Sequence, residues 1–147
     1  MKIIIAAVGK MKAGPEKTLA DSYLKRIPWN ITIKEIEEKK NLSGEKLKST
    51  EGKLLLAASE KTKRIVLDER GDVLSSIAFA RKINSFGGPV SFLIGGAEGH
   101  GDEVRSNADF LLSLGKMTWP HMLARAMLAE QIYRAHTILS GHPYHKV

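Results

Sequence analysis

The sequence predicts an α/β domain built on a mainly parallel sheet. Short apolar runs suited to strands alternate with helical patterns along the chain. Those runs are apolar almost throughout, as strands covered on both faces are. The length, 147 residues, sets the scale: one domain over residues 1–147 with a core that needs no staples.

Ile3 to Val8 reads as a buried strand. The run is too short to span a membrane, and it meets Gly9-Lys10-Met11-Lys12 where a signal peptide needs a small-residue cleavage site. Pro15 to Ile27 is expected to be helical, with Leu19, Tyr23 and Ile27 four residues apart, and Pro28 ends it. Ile31 to Lys34 alternates as a strand should. Residues 41–49 are polar and Lys/Glu-rich, an exposed loop running into a helix with Leu47, Leu54, Leu55 and Ala58. Arg64 to Asp68 predicts a short strand that stops at Glu69-Arg70-Gly71. Ser75 and Ser76 are placed to cap a helix containing Ile77, Ala80 and Ile83. Gly87-Gly88-Pro89 is a turn, Val90 to Ile94 a buried strand, and the region around Val104 a short helix. A strand follows at 110–114. The last helix runs from Pro120 to about Leu139, leaving Ser140 to Val147 as a tail.

Composition excludes several kinds of chemistry. With no cysteine there is no disulfide, thiolate nucleophile or cysteine-ligated metal, which fits a reducing, cytoplasmic setting. The net charge of +7 is unevenly placed: residues 1–64 hold 15 Lys and Arg against 8 Asp and Glu, and the remainder is balanced. A basic half beside a neutral half suggests a polyanion-facing surface next to a different kind of site. Lysines that only keep the chain soluble explain the charge equally well.

The glycine-rich turn 95–101 follows a strand and precedes a helix, so nucleotide fingerprints are tested there. A dinucleotide pattern starting at Gly99 and Gly101 needs a third glycine where Val104 stands. P-loop spacing fits Gly96 and Gly101, but Asp102 occupies the lysine position. Glu98, Asp102 and Glu103 would repel a phosphate. The glycines still allow close backbone approach to an adenine or ribose, and a side chain at Gly96 is expected to intrude on that space. No Gly-x-Ser-x-Gly elbow or His-Glu-x-x-His pair is present, and no metal site is expected.

The last helix carries Arg125, Glu130 and Arg134 among apolar residues, and each arginine calls for a carboxylate partner. The tail Gly141-His142-Pro143-Tyr144-His145-Lys146 is richer in rings than a frayed end.

Several segments occur together in a familiar order: 67–71 (LDERG), 92–99 (FLIGGAEG), 112–114 with 117–121 (LSL and MTWPH), 129–135 (AEQIYRA) and 142–145 (HPYH). With Gly9 to Lys12 and Tyr23 to Arg26 they resemble the ribosomal RNA large subunit methyltransferase H family of the SPOUT superfamily, over essentially the whole chain. The resemblance implies a trefoil-knotted α/β fold and a homodimer. It implies S-adenosylmethionine as methyl donor, and N3 of a pseudouridine in 23S rRNA of the assembled ribosome as acceptor. By position it assigns cofactor contacts to Leu67, Gly96 and the segment Gly115, Lys116, Met117, Thr118, Trp119 and Pro120. These are strand ends, where α/β sheets bind ligands. A sulfonium without phosphate tolerates the acidic loop. Asp72, His100-Gly101 and Gly115-Lys116 depart from the family's usual residues. A basic ribosome- or RNA-binding module without catalysis is the rival reading; it explains the charge but neither the loops nor the tail.

Methylation at N3 needs loss of an imino proton held a few units above neutral, a cost of about 3–4 kcal/mol at 1.4 per unit. A positioned base typically recovers about 10²–10⁴ in rate. The resemblance and this chemistry place Arg134 in charge stabilisation, His145 or His142 in proton removal, and Tyr144 in stacking on or positioning the base. Met122, Met127 and Leu128 are expected to face a partner chain.

Overall fold

Every second residue of the first strand faces the same side of the sheet, and both sides are apolar. The computed structural model describes residues 1–38 and 40–146. Its elements run β1 (Lys2–Val8), α1 (Pro15–Lys25), β2 (Asn30–Ile36), α2 (Gly44–Ala58), β3 (Lys63–Val73), α3 (Ser76–Ser85), β4 (Val90–Ile94), α4 (Asp102–Ser106), β5 (Phe110–Ser113) and α5 (His121–Ser140). The sheet has the order β2-β1-β4-β3-β5, and every pairing is parallel. Ile3, Ile5 and Ala7 pack with Phe92, Phe79, Ile83, Leu128 and Ile132 on the face covered by α3 and α5. Ile4, Ala6 and Val8 pack with Leu55 of α2 and Val104 of α4 on the other. This two-sided core is the physical reason the strands lack polar alternation.

Helix boundaries follow local chemistry. Ser75 caps α3 by accepting the Ala78 N–H at 3.1 Å. Gly141 ends α5 in the left-handed conformation (φ +74°), with His142 N–H closing on the Thr137 carbonyl at 2.9 Å. α1 stops at Lys25, two residues before the predicted end.

Two expectations need correction. β3 does not stop at Glu69-Arg70-Gly71 but continues to Val73. Leu67 and Asp72 both stand opposite Leu112, so residues 68–71 form an outward bulge inside the strand. Gly71 is required there, because a Cβ would lie 2.6–2.7 Å from the Leu111–Leu112 backbone. Leu128 is fully buried within its own chain and is not available to a partner.

Candidate active site

Parallel pairing puts the C-terminal ends of β1, β3, β4 and β5 on one edge, and the β3 bulge with the loops after β4 and β5 encloses a cleft of about 590 Å³. One wall is the β3 bulge, the second the 95–100 turn, the third the 114–119 loop, and His121 and Ala124 close it from α5. Six of the eight residues expected to hold a cofactor line this cleft: Leu67, Gly96, Gly115, Met117, Thr118 and Trp119. Lys116 and Pro120 belong to the same loop but are exposed outside the walls. Gly115 has φ +125°, and Ser113 Oγ donates to its carbonyl at 2.8 Å, which turns the chain sharply out of β5.

Buried polar groups hold these walls. Asp68, its side chain only 4% exposed, accepts the Arg70 N–H at 2.8 Å and Arg105 Nε at 2.7 Å. Burial pushes its carboxyl up, but the Arg70 amide and Arg105 outweigh this and hold it below its usual range. His100 is buried behind Gly95, where a Cβ would come within 3.1–3.2 Å of its ring. Burial depresses its pKa despite Asp68, which favours the neutral ring. The expectation for Gly96 also changes: a side chain there would point away from the cleft, into Val8 at 3.0 Å and Glu51 at 3.2 and 3.3 Å.

The cleft end of α5 is latched to β1. Arg125 donates to the Val8 carbonyl at 3.2 Å, to the Gly9 carbonyl and to Glu35 at 2.8 Å, while His121 Nε2 meets the Val8 carbonyl at 3.2 Å. Burial raises Glu35, but the Met11 N–H and Arg125 more than offset it, so its carboxyl is held below the usual range.

The C-terminal residues form a second cluster. Arg134 bonds Glu130 through Nε at 2.9 Å and Nη2 at 2.6 Å, and its guanidinium lies 4.8 Å over the Tyr144 ring. Tyr144 donates its hydroxyl to Glu130 at 3.1 Å and packs edge-on against Tyr133, 4.7 Å between centroids. Burial, with Tyr23 and Glu130 adjacent, pushes the Tyr144 phenol well above its ordinary value. Arg134 Nη1 stands 3.0 Å from His145 Nδ1. Arginine only donates, so Nδ1 is the acceptor and the neutral ring carries its proton on Nε2. His142 Nδ1 likewise accepts the Tyr144 N–H at 3.1 Å. In this arrangement both imidazoles present N–H groups outward, and neither has a free lone pair for proton removal.

Within the chain the cleft and Arg134 lie apart. Ala124 lines the cleft, and Arg134 lies ten residues further along α5, about 15 Å along the axis. Between α1, α3 and α5 runs an apolar groove of about 350 Å³ that reaches Glu130 and contains Met127, with Leu19 and Val73 exposed at its rim. Met122 instead lies against Gly9. Residue spacing alone missed Glu35, Glu51, Asp68 and Arg105. Asp68 sits inside the 67–71 segment that carries the family resemblance, but nothing in the sequence marks the other three. Among the described residues no group of three His, Asp or Glu is placed to hold a metal, and no helix is long and apolar enough to cross a membrane.

The family profile described as "Predicted SPOUT methyltransferase" matches residues 1–145, and the chain belongs to this family. It is 53% identical to the Ribosomal RNA large subunit methyltransferase H of Paramagnetospirillum magneticum, over 99% of each chain. The protein of that name from Rhodospirillum centenum is 50% identical, again over 99% of each. In fold it resembles a probable methylase family protein of Haemophilus influenzae, with a TM-score of 0.61 and 11% identity, covering 99% of this chain and 70% of the other. The SpoU methyltransferase AviRb of Streptomyces viridochromogenes, solved with the cofactor AdoMet, aligns at a TM-score of 0.50 and 11% identity, over 95% of this chain and 58% of that one.

Proposed function

We propose that the protein methylates N3 of a pseudouridine in 23S rRNA of the assembled ribosome, in the cytoplasm, with S-adenosylmethionine as donor and a homodimer as the active species. The observation that carries this reading is the full-length match, 53% identical over 99% of both chains, to a relative named for large-subunit RNA.

The cleft suits the cofactor. Its volume lies in the range of small-molecule sites, and its glycine turn carries Glu98, which favours a cation and disfavours phosphate. Leu67, Gly96 and the 115–120 loop would hold the adenosyl and amino-acid parts. When bound, S-adenosylmethionine supplies an electrophilic methyl group on its sulfonium.

The C-terminal cluster handles the target. Arg134 stabilises the negative charge left on the pyrimidine ring when N3 loses its proton to His145 or His142. Tyr144, held neutral, offers a ring face for stacking. For His145 to take the proton itself, Arg134 must first release Nδ1. Because Arg134 lies about 15 Å along α5 from Ala124 at the cleft, a second copy docked on the apolar groove beside Glu130 supplies the cluster to each cleft. Lys10, Lys12 and Lys25, exposed on the basic half, serve as phosphate contacts.

Removal of residues 142–147 tests the assignment. The truncated protein should bind S-adenosylmethionine in calorimetry as the full chain does, yet lose at least about 10² in ribosome methylation rate. Methylation at the full rate would remove the tail from the chemistry.

A further inference from the structure

Behind the glycine turn sits a carboxyl group that the proposed reaction does not use. Glu51 of α2 is only 8% exposed, and its Oε1 has no hydrogen-bond partner among the described residues. A buried acceptor without a donor is unfavourable, and a leucine of similar size would fill the space without that cost. The position of Glu51 is fixed by its neighbour. At Gly52 a Cβ would lie 2.9 Å from Val104 Cγ2, so α2 packs directly on α4. That packing brings both Glu51 oxygens to 3.2 and 3.3 Å from where a Cβ on Gly96 would project. Val8 at 3.0 Å is the apolar half of the same support. The turn itself closes through the Gly99 N–H to the Gly96 carbonyl at 3.0 Å, so Gly96 is where turn and helix meet. Burial, with Glu98 and Glu38 nearby, raises the Glu51 carboxyl above its ordinary range, which favours the uncharged acid.

We propose that Glu51 is a positioning residue for the cofactor: its carboxyl group supports Gly96 from behind and sets the shape of the 95–99 turn that receives S-adenosylmethionine. This rests on the cofactor reading above. Glu51 does not touch the cofactor. Its empty oxygen takes a backbone N–H of the turn when ligand binding draws turn and helix together, and that bond is formed only in the bound state.

Two substitutions separate this role from simple space-filling. Glu51→Leu keeps volume and removes the acceptor; Glu51→Gln keeps both shape and acceptor. Titration calorimetry with S-adenosylmethionine should give a Kd raised about tenfold or more for Glu51→Leu and within about threefold of wild type for Glu51→Gln. Thermal unfolding should leave Glu51→Leu at least as stable as wild type. In ribosome methylation its KM for S-adenosylmethionine should rise while kcat at saturation is kept. If the leucine chain does not fold, Glu51→Ala carries the same comparison with the glutamine variant. Wild-type affinity in Glu51→Leu, or equal losses in Leu and Gln, would overturn the proposal. Absence of binding by the wild-type chain would instead overturn the cofactor reading, and this proposal with it.

Discussion

The cleft at the strand ends is built from backbone, and the cluster at the far end of α5 is built from side chains. Three turns shape the cleft, each anchored to the sheet or to the helices packed on it: the bulge by Asp68 and Arg105, the glycine turn against Val8 and Glu51, and the 114–119 loop through Ser113. The cluster rests on Glu130, which holds Arg134 and Tyr144 together, with His145 hung on Arg134. A backbone site keeps its shape because moving it means moving strands, which suits selective binding. Ion pairs and hydrogen bonds among half-buried side chains can exchange partners, which suits a step where charge appears on the substrate. The rod that carries part of both regions, α5, also keeps them apart.

That contrast can be strained at the latch between α5 and β1. Arg125→Ala removes the guanidinium shared by Glu35 and the Val8 and Gly9 carbonyls, leaving Glu35 with the Met11 N–H and Val8 with His121, and should cost about 3 kcal/mol, the low end for a buried pair because Glu35 is partly exposed. Urea unfolding checks the cost. The same variant should weaken S-adenosylmethionine binding, since His121 and Ala124 line the cleft, and leave the Arg134–Glu130–Tyr144 contacts intact. Equal damage to both regions would mean that they are not separately built.

A smaller effect should appear with pH, and again on the cleft side. The His100 pKa in the folded chain is depressed below 6.5. Above pH 6.5 both folded and unfolded chains carry it neutral, and its full contribution is present. As pH falls through 6.5 the unfolded chain takes up a proton that the native chain refuses, so stability declines. Glu35 and Asp68, also depressed, contribute above their unfolded values of 4.5 and 3.8, and lose that contribution only as pH falls through lower folded values. Thermal unfolding from about pH 8 to about pH 5 should show a shallower decline in His100→Leu than in wild type, the remainder coming from His136, which burial also depresses. An identical slope in both would remove His100 from the account.

Most of the fold was legible because the strand signal is strong where a strand is buried on both faces. Ile3 to Val8, Val90 to Ile94 and the Ser75 cap all follow from residue type and spacing. The continuation of β3 past Gly71 was not legible. Glu69-Arg70-Gly71 reads as a terminator locally, and only pairing with Leu112 carries the strand onward. The strand-end loops expected to hold the cofactor do line one cleft, yet the direction in which Gly96 faces was misread, since a glycine in sequence does not say which side of the chain is crowded. Buried partners were the hardest part. Glu35 and Glu51 look like surface acids in a Lys/Glu-rich stretch, and only tertiary packing brings one to Arg125 and the other to Gly96.

Whether the two regions meet across a dimer is tested most directly by complementation. One chain carries Gly96→Val, which pushes the glycine turn off Val8 and Glu51 and disables the cleft. The other lacks residues 142–147 and so has no tail. Each homodimer should be nearly inactive in ribosome methylation. Co-expressed in equal amounts, they should recover about a quarter of wild-type activity, because half the dimers are mixed and each mixed dimer has one intact cleft facing one intact tail. If tail and cleft act within one chain, no combination contains a complete site, and activity no higher than that of the separate homodimers would contradict the account.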